Sequence, residues 1–224
     1  SDLDRLVPQA ETDPGALLDL ATLLQSQGGA LSAEGRALQR AAVGRQRCYR
    51  VVHGRGCGPR VLAFVTEGDF MANTPIDFLL AGSDAVLLLH HVDAHTRSLA
   101  DVPEHDVAFL AIGQSAANAP VLARMAELLA GWPGPILNNA PDLIAGLTRD
   151  RVAAALAGVP GLLAPSTRRV SRALAAKVVS GRADATVLGA DFPLVVRPVG
   201  THAGEGMAKI DDAAALAAWL EECG

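Results

Sequence analysis

The residues best suited to hold a charged group lie in one stretch, Phe192-Pro-Leu-Val-Val-Arg-Pro-Val-Gly-Thr-His-Ala-Gly-Glu-Gly-Met-Ala-Lys-Ile-Asp211. Leu194 to Val196 are apolar and largely β-branched, which predicts a strand of buried character. Arg197 puts a fixed positive charge at its end, and Pro198 stops the ladder because it has no N–H to donate. Gly200, Gly204 and Gly206 then allow positive φ, so backbone N–H groups can approach an anion. The stretch reads as a flap built to cover phosphates. Thr201 and His202 add a hydroxyl and an imidazole, the latter mostly uncharged at neutral pH unless a phosphate raises its pKa. His202 reads as a phosphate contact, with a loop tip in water as the alternative, and Lys209 on the returning strand faces either the ligand or solvent.

A second polar group is His90, His91, Asp93 and His95. Neighbouring strand residues point to opposite faces, so His90 and His91 cannot share a metal ion while extended. Asp93 begins a turn on this reading, and the group is expected to be a strand end with polar surface residues. Cys48, Cys57 and Cys223 are odd in number and show no CxxC pair, which indicates reduced thiols rather than a disulfide framework or a zinc site.

The positioning elements follow from hydrophobic rhythm. Val61 to Thr66, Ala85 to Leu89, Val107 to Ile112 and Pro135 to Leu137 are short apolar runs, separated by helices expected at about Thr74 to Leu80 and Pro120 to Ala130. Fully apolar strands imply cover on both faces, hence an open, mainly parallel α/β sheet. Thr74 before Pro75 suits a helix N-cap with proline at the first helical position. Ligands of such sheets gather at the carboxyl ends of the strands, which here carry Glu67 to Thr74, His90 to Asp93, Gly113 to Asn118 and Asn138-Asn139. These residues read either as a binding edge or as ordinary turn formers.

Residues 1 to 46 read as a helical pair, the first helix starting near Pro14 and ending at Gly28-Gly29, the second starting at Ser32. The pair loosely resembles one tetratricopeptide unit, and reads equally as a packing hairpin. Gly54-Arg-Gly-Cys-Gly-Pro59 looks like a dinucleotide fingerprint, but it precedes the first apolar strand instead of joining a strand to a helix, and reads as a linker.

A further motif lies between these regions. Leu147-Thr-Arg-Asp-Arg-Val152 opens an Ala-rich helix that closes at Gly158-Val-Pro160 and leads to Ala164-Pro-Ser-Thr167. With the flap downstream, the chain resembles the ATP-grasp ligases, the superfamily of D-alanine:D-alanine ligase, glutathione synthetase and the ribosomal-protein glutamate ligases. That family's flap has a proline, apolar residues, Lys-Pro, a polar Gly-rich loop and a strand ending in an acidic pair. Pro193, Val195-Val196, Arg197-Pro198, Gly200 to Gly206 and Met207 to Asp212 match it. Arginine replaces the family's lysine at Arg197, and again at Arg151 in the Arg-Asp-Lys helix opening, which exchanges a compact ammonium for a planar fork.

The resemblance implies a helical hairpin and linker over 1–56, a Rossmann-like pre-ATP-grasp domain over 57–145, and a first, incomplete α+β ATP-grasp lobe over 146–224. It implies ATP as cofactor, bound through Arg151, Arg197, Gly200, Thr201, His202, Gly204 and Gly206, and Mg2+ held by carboxylates of a second lobe. The activity implied joins a small-molecule carboxylate to an amine through an acyl phosphate. Because the helix from Asp211 to Glu222 is followed by no Glu-x-Asn-type metal motif, the chain is expected to be the N-terminal part of such a ligase, inactive alone. The alternatives are a non-catalytic interaction or nucleotide-binding module and, more remotely, a Rossmann-type nucleotide or sugar binder with its phosphate site after Thr66.

Composition agrees with a folded protein without nucleic-acid chemistry. The 224 residues are 50% hydrophobic and carry a net charge of −5, enough for one or two cores and without a basic stripe for nucleic acid. No apolar segment reaches the roughly 18 residues of a membrane span, and the N-terminus has no signal-peptide pattern. A cytoplasmic location and a possible homodimer are the expectations.

Overall fold

Five strands, β1 (Cys48–Val52), β2 (Arg60–Val65), β3 (Val86–His91), β4 (Val107–Leu110) and β5 (Ile136–Leu137), form a mixed sheet in the order β1-β3-β2-β4-β5. They belong to a computed structural model that describes residues 2–201 and 204–223. β2 runs parallel to β3 and β4, and β4 parallel to β5, whereas β1 is antiparallel to β3. The fold is thus α/β with a mostly parallel sheet. The backbone divides into two units, residues 1–145 and 146–224.

The strands are apolar on both sides because both sides are covered. Leu62, Phe64, Leu88, Ala108 and Leu110 meet Val121, Leu122, Met125 and Leu129 of α5 (Ala119–Leu129) and Ile144 of α6 (Pro141–Gly146). Ala63, Val65, Leu87 and Ala111 face the other way, against Ile76 of α4 (Ile76–Leu79). Each of the larger of these side chains, taken wholly from water, contributes on the order of 2 kcal/mol. Phe64, fully buried and edge-on to Trp132 with ring centroids 5.3 Å apart, joins sheet to helix layer.

Three helices precede the sheet, one more than the periodicity suggests: α1 (Asp2–Ala10), α2 (Pro14–Ser26) and α3 (Gly29–Arg45). Asp13 caps α2, its side chain accepting from the Gly15 N–H at 2.8 Å, with Pro14 in the first turn as expected. α3 begins at Gly29, ahead of Ser32, whose hydroxyl instead accepts from Arg36 at 2.9 Å. At Gly35 a Cβ would stand 2.6 Å from the Ala21 carbonyl oxygen, so only glycine lets α2 and α3 approach this closely. The helices pack on the sheet through Tyr49 and Leu89.

Two other expectations are corrected. Residues 48–52, read as the end of the helical region and its linker, form β1; a strand with exposed Arg50 at its centre gives a weak apolar signal. Thr74 does not cap α4: Pro75 takes the cap position with no side-chain cap bond, while the Thr74 N–H donates to the Ala111 carbonyl at 2.6 Å. Among the described residues no helix is long and apolar enough to cross a membrane.

The second unit has a smaller core. β6 (Leu194–Val196) pairs antiparallel with β7 (Ala208–Ile210), and α8 (Arg172–Val179) and α9 (Ala213–Glu222) pack over one face through Ala175, Val178, Ile210 and Leu216. The buried character expected for β6 is not met: Leu194 and Val196 are half-buried, and Val195, paired with Lys209, is 70% exposed. A two-stranded ribbon has helices on one side, where a larger sheet would be covered on both. α7 (Arg149–Leu156) precedes this core and buries none of its side chains.

His91 makes the first unit sensitive to acid. It is 5% exposed, edge-on to Tyr49 at 5.7 Å between centroids. Burial, and then the charges of His90 and Arg47, push its pKa down from 6.5 to about 4. The unfolded chain therefore takes up a proton that the folded one refuses, and stability present above pH 6.5 is lost as the pH falls towards 4. Between these limits the loss is about 3 kcal/mol. Urea unfolding of His91→Leu at pH 7 and pH 4 should show the pH-dependent loss reduced by about that amount; an acid slope equal to that of the wild type would refute it.

Candidate anion-binding site

Local chain chemistry builds the turn between β6 and β7. Asp212 caps α9 by accepting from the Ala215 N–H at 2.8 Å, which fixes the helix just after β7. From that helix Trp219 donates its indole N–H to the Gly206 carbonyl at 2.8 Å. Gly206 has φ +62°, and a Cβ there would lie 2.7 Å from the Pro198 ring. The two roots of the turn thus close on each other, proline against glycine, under the indole.

Within this frame Arg197 leaves the end of β6 and folds back on the turn. Its Nη2 donates to the Thr201 carbonyl, and lies 3.3 Å from Oγ1 of the same residue. Thr201 Oγ1 in turn donates to the Pro198 carbonyl at 3.0 Å. Arg149, at the start of α7, donates from Nη2 to the same Thr201 carbonyl at 3.4 Å. Two guanidinium groups therefore converge on one neutral oxygen.

Neither arginine forms an ion pair with a carboxylate among the described residues. The Nε of Arg197 is buried and lacks a hydrogen-bond partner among them. Burial, and then the nearby Arg197 charge, lower the pKa of Arg149 from its ordinary value, though a guanidinium stays charged at neutral pH. Like charges held together without a counter-ion form a site of positive potential, and an anion is the ligand that relieves it.

The sequence-derived residues are distributed unevenly about this point. Arg197 and Thr201 are brought together; Gly200 and Gly204, with φ +86° and +81°, carry the turn past them. Arg151 is exposed on α7 and lies over Gly146, where a Cβ would stand 3.0 Å from its Nη1. Lys209 pairs with Asp211 at 2.6 Å. His202 lies outside the described residues. Sequence reasoning missed Arg149, because the family pattern drew it to the third residue of Arg-Asp-Arg. Helical spacing gives the signal: Arg149, Val152, Ala153 and Leu156 share one face of α7, and these four help line a cavity of about 370 Å³ with Leu162 and Leu163.

In the first unit, amide side chains of the carboxyl-edge loops are spent on neighbouring backbone groups. Asn73 exchanges two 2.8 Å hydrogen bonds with the Thr66 backbone, and its backbone bridges to Ile112. Asn118, buried, donates to the Ala72 and Gly113 carbonyls, both at 2.9 Å. Asp93 holds Arg47 at 2.9 Å and closes a turn through the His95 N–H, as a strand-end role requires, whereas His91, expected at the polar surface, is buried. Among the described residues no three His, Cys, Asp or Glu gather as a metal site.

The closure at Gly206 is testable. Gly206→Ala should destabilise the turn by about 1–3 kcal/mol through left-handed backbone and the clash with Pro198. Amide hydrogen exchange in β6 and β7 should quicken by about tenfold or more, with β2 and β3 unaffected; unchanged protection would show that the turn is not closed there. Comparison of the chain with protein-family models and with curated proteins found no match.

Proposed function

We propose that residues 146–224 act as a phosphate-binding lobe of an ATP-dependent carboxylate–amine ligase of the ATP-grasp type, with residues 57–145 as the Rossmann-like domain that precedes such lobes. The observation that carries this reading is the Arg149–Arg197 pair, unneutralised and aimed at a glycine turn. The strand, glycine turn, strand and helix order adds support, as does a mostly parallel sheet upstream.

The donor set fits a polyphosphate. Guanidinium forks and backbone N–H groups of a positive-φ turn suit the oxygens of a nucleotide's phosphates. It does not fit magnesium, for which the described residues offer no carboxylate cluster, so no residue of this chain is given that role. ATP supplies the phosphoryl group that activates a substrate carboxylate for attack by an amine. This chain's part is to bind and orient: Arg197 and Arg149 offset the negative charge of the phosphates, and fixed cations at such a position stabilise charge as it develops in transfer.

Calorimetric titration of the full chain with ATP and with inorganic tripolyphosphate tests the reading. Arg197→Ala and Arg149→Ala should each weaken binding about tenfold or more, the cost of removing a charge-assisted contact. Arg151→Ala should weaken it less than Arg149→Ala, and Arg182→Ala, on an exposed turn, should leave it unchanged. Affinity should fall with added salt. Failure of either polyphosphate to bind, or indifference to the loss of Arg197, would overturn the proposal.

A further inference from the structure

Between Arg149 and Arg197 stands the Thr201 carbonyl, an acceptor supplied by the turn itself. A neutral oxygen satisfies the direction of the two N–H groups but leaves their charges unbalanced. It therefore holds the guanidiniums in place while binding them more weakly than an anionic oxygen would. Its own position is pinned from the other side, because Thr201 Oγ1 donates to the Pro198 carbonyl at 3.0 Å. The residue before it, Gly200, sits at φ +86° with no atom within 4 Å of where a Cβ would be, so the backbone has room to turn there.

We propose that the Thr201 carbonyl is a built-in competitor for the anion site: it occupies the place of a phosphate oxygen, keeps Arg149 and Arg197 assembled, and must be displaced when a polyphosphate binds. This regulation rests on the phosphate-binding reading above. The Thr201 hydroxyl, on this account, does not serve the ligand; its bond to Pro198 stabilises the self-occupied state and lowers apparent affinity by the fraction of molecules so occupied.

The test is Thr201→Val, which keeps the shape and the carbonyl and removes the hydroxyl. The full chain is titrated with inorganic tripolyphosphate. Loss of the hydroxyl's two contacts in the competing state, the bond to the Pro198 carbonyl and the longer one from Arg197, should tighten binding about three- to tenfold, and Thr201→Ser should return the affinity to that of the wild type. In stopped-flow mixing, the wild-type binding rate should level off with ligand concentration at the rate of carbonyl departure, and Thr201→Val should raise that plateau. Weaker binding by Thr201→Val would assign the hydroxyl to the ligand, and unchanged binding would show that the pin has no effect; either overturns the competitor. If Arg197→Ala loses binding while Thr201→Val gains none, the competitor falls and the phosphate site stands. If neither wild type nor Thr201→Val binds, the phosphate site itself falls.

Discussion

Two positive charges held near one carbonyl oxygen are the constraint on which the second unit's chemistry depends. Guanidiniums repel, and nothing among the described residues neutralises Arg149 or Arg197. They stay close because the turn is held at both roots. Pro198 closes on Gly206, and the Trp219 indole grips the Gly206 carbonyl from a capped helix. Among the described residues of this unit only Ala175, Val178, Ile210 and Leu216 are fully buried, a small core. The rigidity at the turn comes from hydrogen bonds and ring contact as much as from apolar burial.

The first unit follows a different physical rule. Its strands are held by burial on both faces, and its carboxyl-edge loops are held by amide side chains that satisfy backbone groups. Asn73 and Asn118 each spend a polar side chain on a neighbouring loop. Residues that are common in ligand-binding loops therefore serve here to join the ends of β2 and β4. The same economy applies at Asp93, which organises a turn and holds Arg47.

Much of the architecture could be read from sequence because long apolar runs leave few choices. Val61 to Val65 and Val86 to Leu89 have no polar face, so they had to be covered twice, and they are. The turn of β6 and β7 was legible from Pro198 and the three glycines. β1 was not, since Arg50 interrupts it and its partner β3 lies more than thirty residues away in sequence. α1 was hidden by Pro8, which stands inside it. Arg149 was obscured by a pattern that favours position 151, although the helical face it shares with Val152 and Leu156 is visible in the spacing. The convergence on Thr201 could not be read at all, because it depends on where α7 stands beside the turn.

The sheet's outer strands have a consequence for how the protein behaves among its own copies. Any sheet exposes a row of unpaired amide and carbonyl groups along its two margins, and a long, flat, apolar margin recruits strands from other chains. Here one margin is β1, with a charged Arg50 at its midpoint, and the other is β5, two residues long. The charge on one margin and the brevity of the other are features that disfavour strand addition.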